Sequence, residues 1–302
     1  MSLKIEIVGL KMANPVMNAS GILGKTASSL LRLAESGVGA VVTKSIGKDP
    51  RRGYENPTIV EVKGGLINAM GLPNPGVKEY VKELGVATKN LNIPTIASIY
   101  GFSPEEYEYV AKKMEKTGVS AIELNVSCPH VKEVGIEIGQ SKDDLSKVVK
   151  KVKSAVKIPM IVKLNPNVSN IVSMARIVEK AGADAVVTIN SLRAMAIDVE
   201  TGKPILGGKF GGLSGSAIKP IAVRCVYEIF EAVDIPIIGC GGINSWEDAV
   251  EFFLAGASAV QVGTALMHRD LKVFREITDG LEKYLRKKKF QNVGEIVGLS
   301  HE

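Results

Sequence analysis

The sequence predicts an α/β protein, a single (β/α)8 TIM barrel with active-site loop insertions at its C-terminal rim. Three observations carry that expectation. Short apolar runs recur eight times, each ending in small or polar residues. Stretches of helical periodicity separate them. Most of the runs are continuously apolar rather than alternating, as parallel strands covered on both faces require. The units fill nearly all of the 302 residues and no segment stands apart, so residues 1–302 are expected to form one domain. An open doubly wound sheet is the alternative use of the same units.

A first strand-like segment lies at 3–8. Strand 15–20 leads to helix 28–35, followed by Gly37 where a left-handed cap is wanted. Strand 40–45 is followed by a long connection, 46–74, that holds a β-like segment at 58–62 and a turn-rich stretch at 64–71. Helix 75–89 comes next. Strand 94–99 leads to helix 104–116, which opens with Ser103 as N-cap, Pro104 in the first turn and Glu105 and Glu106 early, and ends before Gly118. Strand 121–127 is followed by a second long loop, 131–140, and helix 142–156. The remaining units are strand 160–165 with helix 169–180, strand 185–191 with helix 217–232, strand 236–241 with helix 246–255, and strand 259–264 with helix 270–287. Gly182 and Gly256 close two of these helices. Long loops in a compact domain are usually functional, and both lie on the rim where barrel enzymes carry their chemistry.

Hydrophobic residues make up 45% of the chain but aromatics only 5%, so the core must be aliphatic. The net charge of +6 is dispersed, apart from a short run at Lys287-Lys288-Lys289, and no basic stripe interleaved with aromatics suggests nucleic acid. Three cysteines, Cys128, Cys225 and Cys240, without CxxC spacing suggest neither a disulfide framework nor a zinc or iron–sulfur site on this chain. No signal peptide precedes 3–8, and no apolar run is long enough to span a bilayer. The expected setting is the cytoplasm, with no metal and no membrane partner.

The strand ends define a rim constellation: Ser20, Lys44, Ser98, Asn125 with Cys128, Lys163, Asn190 with Ser191, Gly241-Gly242 and Gly263-Thr264. Six ends are polar and two are glycine turns, which suits a ligand with a polar head and a phosphate at one edge. The glycine pieces 211–215, 239–243 and 262–265 allow backbone N–H groups to approach a phosphate. Each alone equally suits a plain turn. Lys44 and Lys163 end apolar strands. They suit a flavin's N1–C2 carbonyl, a substrate carboxylate, a Schiff base or a snorkelling surface position. Cys128 sits before Pro129 on a loop with polar neighbours, the setting of a reactive thiol rather than a small buried hydrophobe. Cys225 reads as core, and Cys240 as packing beneath the phosphate turn. His130 reads as a loop residue without catalytic duty. Asn68, Asn125 and Asn190 either cap turns or grip a planar amide ring.

At these residues the chain resembles the dihydroorotate dehydrogenases. The matching pieces are Asn18-Ala19-Ser20-Gly21, Thr43-Lys44-Ser45, Asn68-Ala69-Met70-Gly71-Leu72-Pro73-Asn74-Pro75-Gly76, Asn125-Val126-Ser127-Cys128-Pro129, Lys163-Leu164, Gly211-Gly212-Leu213-Ser214-Gly215, Gly241-Gly242-Ile243 and Gly263-Thr264. The resemblance covers nearly the whole chain. It implies an FMN-dependent barrel that oxidises dihydroorotate to orotate in pyrimidine biosynthesis. Cysteine rather than serine at the base position, and Lys-Pro-Ile-Ala at 219–222, resemble class 1B. That class implies a homodimer core and an electron-transfer subunit carrying FAD and a [2Fe–2S] cluster, with NAD+ as acceptor.

The resemblance further implies FMN contacts from Ser20, Lys44, Ser45, Ser98, Asn125, Lys163, Ile189, Gly215, Gly241, Gly242, Gly263 and Thr264. It implies substrate contacts from Lys44, Asn68, Ala69, Met70, Gly71, Leu72, Asn125, Asn190 and Ser191, with Cys128 and Lys163 catalytic. Ser98 stands where the family usually has Asn, so one flavin-ring hydrogen bond is expected to be shorter in reach or water-mediated. Ser191 replaces a common Thr, and His130 a common Asn. The last feature also resembles dihydropyrimidine dehydrogenase, so a dihydropyrimidine or dihydrouracil oxidoreductase is the alternative activity. A non-redox phosphate-ligand barrel is the alternative from another class.

Overall fold

The computed structural model describes residues 2–126 and 138–302. Eight parallel strands form the central sheet: β1 (Val16–Asn18), β2 (Val41–Val42), β3 (Thr95–Ile99), β4 (Ala121–Asn125), β5 (Met160–Lys163), β6 (Ala185–Thr188), β7 (Ile237–Cys240) and β8 (Ala259–Val262). Each strand pairs with its sequence neighbours from β2 through β8, and β8 pairs with β1 at Val260↔Val16. A parallel bridge between Met17 and Ala40 and a 2.8 Å bond from Gly39 N to Val16 O close the cylinder. Asn18 completes the seam. Its Oδ1 accepts from Val42 N at 2.9 Å and its Nδ2 donates to Val42 O at 2.7 Å, so a side chain substitutes for a missing rung between β1 and β2. This closure selects the barrel over the open sheet.

The outer ring comprises α1 (Ala27–Glu35), α2 (Val77–Asn90), α3 (Pro104–Glu115), α4 (Lys142–Lys153), α5 (Ile171–Lys180), α6 (Lys219–Phe230), α7 (Trp246–Leu254) and α8 (Lys272–Lys288). Their starts follow capping chemistry. Thr26 and Ser245 form capping boxes with Ser29 and Asp248. Ser103, Ser141 and Asn170 accept from the N3 amides of α3, α4 and α5. Gly37, Gly118, Gly182 and Gly256 take the positive φ expected of them.

Strand periodicity places two different populations in the barrel. Outward residues such as Ile122, Leu124, Val162, Val186 and Val260 pack against the helices. Inward residues near the strand starts are apolar and often small: Ala40, Ala121, Ile161, Ala185, Ile238 and Ala259. An antiparallel hairpin, Ile5–Ile7 with Leu10–Met12, plugs that end, and Ile7, Leu10 and Met12 join the same cluster. Two residues further along several strands, the inward positions turn polar: Ser98, Glu123, Lys163 and Gln261, all buried. The interior is therefore a dry apolar base beneath a polar upper layer.

The strands are shorter than the apolar runs that predicted them, because the rim residues leave the ladder, with Ser20 and Thr264 in turns and Gly241 and Gly242 at positive φ. The 46–74 connection and the segment after β6 build a four-stranded antiparallel sheet: Leu192–Ala194, Gly211–Ser214, Gly65–Asn68 and Ile59–Val62. The sequence reads 64–71 as turn-rich and 211–215 as a phosphate turn; in the structure Gly65–Asn68 and Gly211–Ser214 are strand. The reason is close approach. A Cβ at Gly212 would lie 2.1 Å from Ser191 Oγ, so glycine here permits strand contact. Among the described residues no helix is long and apolar enough to cross a membrane.

Candidate active site

The mouth of the barrel and the four-stranded sheet enclose a cavity of about 350 Å³, within the range typical of small-molecule sites. Ser20 follows β1, and Lys44 and Ser45 follow β2. Asn125 and Lys163 end β4 and β5, and Ile189, Asn190 and Ser191 follow β6. Gly241 and Gly242 follow β7, and Gly263 and Thr264 follow β8. All of these line the cavity, as do Gly215 and, from the 46–74 connection, Asn68, Met70, Gly71 and Leu72. Ile22, Ile59, Leu66 and Met267 supply apolar wall.

The connecting loops are tied down. Asn74 Nδ2 donates to Tyr100 Oη at 2.7 Å and Leu72 O at 2.9 Å. Its Oδ1 accepts from Gly76 N at 2.9 Å and Gly47 N at 3.3 Å. Asn68 Nδ2 donates to Gly212 O at 3.1 Å, joining both halves of the covering sheet. Tyr107 on α3 donates to Asn125 O at 2.8 Å and holds the end of β4. On the opposite edge Gly242 has φ +78°, and a Cβ there would come within 2.7 Å of both Gly215 O and Lys219 Cβ. Only glycine lets these two turns meet, which leaves main chain rather than side chain facing that end of the cavity.

Beneath the cavity the polar layer is continuous. Asn190 Nδ2 donates to Asn125 Oδ1 at 3.2 Å, and Asn125 Nδ2 donates to Ser45 Oγ at 3.1 Å. Ser45 Oγ lies 2.9 Å from Ser98 Oγ, which donates to Glu123 Oε1 at 3.0 Å. From the other side Lys163 Nζ donates to Gln261 Oε1 at 3.0 Å, and Gln261 Nε2 donates to Glu123 Oε2 at 2.7 Å. Lys163 Nζ also lies 3.7 Å from Cys240 Sγ.

Burial alone would lower the Lys163 pKa. The opposing influence of Cys240 and Glu123 outweighs it, and Lys163 lies above the ordinary lysine value. Burial pushes the Cys240 thiol up, against the pull of Lys163. Lys163 is thus a buried cation at the cavity floor and not a snorkelling surface group.

Most of the residues singled out in the sequence reach this one cavity; of the described candidate site residues, Ser98 and Ala69 do not line it. Ser98 lies one layer below, bonded to Ser45 and Glu123 rather than facing the cavity. Ala69 is fully buried behind the wall. Cys128 lies outside the described residues, as do His130 and most of the 131–140 loop; of that loop only Ile138–Gln140, a 3₁₀ turn, is described. Cys225 is buried on α6, and Cys240 lines the cavity rather than only packing beneath a turn. Sequence reasoning missed Glu123 and Gln261. The available signal was a polar residue inside an apolar strand, two positions from an inward alanine. Among the described residues no group of three or more His, Cys, Asp or Glu is placed to hold a metal.

A family model described as Dihydroorotate dehydrogenase matches residues 2–285. The chain is similar to the protein named dihydroorotate dehydrogenase B (NAD(+)), catalytic subunit, of Pyrococcus furiosus, with 52% identity over 300 residues and 99% of each chain covered. Its identity to the protein of that name from Methanocaldococcus jannaschii is also 52%, over 303 residues covering 99% of this chain and 98% of the relative. With the Methanosarcina mazei protein of the same name it is 48% over 301 residues, covering 99% and 96%. Closed barrel, rim cavity and full-length similarity agree, and the chain belongs to the dihydroorotate dehydrogenase family.

Proposed function

We propose that this chain, as one FMN-binding barrel domain over residues 1–302, oxidises dihydroorotate to orotate in pyrimidine biosynthesis. The observation that carries the reading is a single cavity with a main-chain glycine edge, a buried cation at its floor and asparagines on its wall. These residues fit FMN. The Gly215–Gly242 contact leaves no room for a side chain where a phosphate needs close main-chain approach. Lys163 offers a fixed positive charge for the ring system. Ser20, Lys44, Ser45, Asn125, Ile189, Gly241, Gly263 and Thr264 complete the assigned FMN wall, with Ser98 acting through Ser45.

When bound, FMN supplies the acceptor for the C6 hydride of dihydroorotate. The chain's own residues do the rest. Cys128 is assigned as the base that takes the C5 proton, its thiol being the residue type suited to that step. Asn68, Asn125, Asn190 and Ser191 hold the pyrimidine ring, and Lys44 and the strapped 68–72 segment meet the substrate carboxylate, with Ala69 behind as packing. Lys163 keeps positive charge where negative charge arrives. The 131–140 loop is assigned to water exclusion.

The relatives' names, as catalytic subunits of an NAD(+) enzyme, support a partner subunit. We assign FAD and a [2Fe–2S] cluster to that partner, a homodimer as the core of the complex, and the cytoplasm as its setting.

The test is anaerobic mixing of the purified protein with dihydroorotate and, separately, dihydrouracil. Bleaching by dihydroorotate with release of orotate is expected. Bleaching by dihydrouracil alone would assign the related activity, and a colourless protein that takes up no FMN would assign a non-redox ligand.

A further inference from the structure

Glu123 is fully buried in the barrel and has no part in the chemistry assigned above. It is nevertheless the point on which two hydrogen-bonded arms converge. One arm runs through Ser98 and Ser45 to Asn125 and Asn190. The other runs through Gln261 to Lys163.

The direction of each arm follows from counting hydrogens. A carboxylate only accepts. Ser98 gives its one hydroxyl hydrogen to Glu123, so the hydrogen between the two serines belongs to Ser45. Ser45 must then accept from Asn125 Nδ2, which leaves Asn125 Oδ1 to accept from Asn190. On the other side Gln261 turns its amide nitrogen to the carboxylate and its oxygen to the ammonium. A reversed Gln261 would set donor against donor and acceptor against acceptor.

We propose that Glu123 is a positioning residue: as the common acceptor of both arms it fixes which face Asn125 presents to the substrate and keeps the Lys163 ammonium in place at the cavity floor. The inference rests on the FMN–dihydroorotate reading above. Among the described residues, the groups facing Lys163 that carry or exchange a proton are Glu123 on β4 and Cys240 on β7, while the Gln261 amide on β8 accepts from it. A glutamine at 123 keeps the shape but has one accepting and one donating end. It cannot accept from Ser98 and Gln261 together, so one arm must reverse or break.

The test uses the FMN-bound protein with ¹³C-labelled lysine, following the Lys163 Cε signal against pH, and orotate binding by calorimetry. Glu123→Gln should lower the Lys163 titration, weaken orotate about tenfold, the worth of one hydrogen bond, or do both. Two further variants separate the arms. Ser98→Ala should weaken orotate and leave the Lys163 titration alone. Gln261→Met should move the Lys163 titration and leave orotate within about twofold. Rescue of neither readout is expected from Glu123→Asp, which is one methylene too short to reach both partners. If Glu123→Gln leaves both readouts at wild-type values, or if Ser98→Ala and Gln261→Met act alike, the proposal is overturned. A wild-type protein that binds no FMN or orotate would instead sink the functional reading, while the lysine titration would still report on Glu123.

Discussion

Replacing Lys163 with Met removes the buried cation while filling nearly the same space. Two partners are then left in a medium that cannot solvate them. Gln261 Oε1 loses its 3.0 Å donor, and the Glu123 carboxylate loses the positive charge facing it through Gln261. Removing one member of a buried charge pair costs about 3–5 kcal/mol. Ser98 and Gln261 still bond the carboxylate, which favours the lower end. At about 2 °C per kcal/mol for a chain of this length, Lys163→Met should melt roughly 6 °C below wild type. The difference has a pH signature. The Lys163 value is raised in the folded protein, so its contribution is fully present below the unfolded lysine value of about 10.4 and is lost as pH rises through the folded value. The gap in melting temperature should therefore hold steady from neutral pH to about 9 and close only above about 10. In anaerobic rapid mixing the variant should reduce its flavin about 10²–10³-fold more slowly, the usual cost of losing one group aimed at developing charge. A variant that melts with wild type and reduces flavin within a factor of two of it would refute the role given to Lys163.

Three further outcomes follow. Gly242→Ala must hold φ +78° with a Cβ 2.7 Å from Gly215 O, a strain of about 1–2 kcal/mol before any steric shift, so FMN dissociation measured by fluorescence should rise about tenfold; unchanged affinity would remove the glycine edge from the FMN site. Asn74→Ala cuts four bonds that strap the 68–76 segment, and should raise the KM for dihydroorotate while leaving FMN affinity alone; a fall in FMN affinity with unchanged KM would assign the strap to the other ligand. Cys128→Ala should keep the yellow colour and lose bleaching by dihydroorotate, and wild-type turnover should climb toward the thiol value of about 8.5; a flat profile or an active variant would reject the thiol base.

The barrel was readable because most of the parallel strands write a continuous apolar run and five of the eight outer helices open on a side-chain cap. Ser103-Pro104-Glu105-Glu106 marks the start of α3 to the residue. Of the covering sheet only the 58–62 segment was readable, as the strand Ile59–Val62. Gly65 and Gly211 sit where facing backbone leaves no room for a Cβ, and in a sequence the pairs Gly64-Gly65 and Gly211-Gly212 are the mark of a turn. The rim residues showed themselves by following apolar runs. Glu123 and Gln261 did not, since they sit within runs, and only the alternation of inward and outward positions in a closed barrel reveals that a charged residue there faces other polar groups. Ser98 shows the same limit. The strand end at Ile99 is read correctly, yet the Ser98 side chain falls one layer below the cavity, bonded to Ser45 and Glu123.

The most direct test of the account is a crystal structure of the protein loaded with FMN and orotate. The account predicts the phosphate against Gly241–Gly242 and Gly263–Thr264, the flavin ring within hydrogen-bond reach of Lys163, and orotate held by Asn68, Asn125 and Asn190. Flavin bound elsewhere, or orotate lying away from those asparagines, would contradict it.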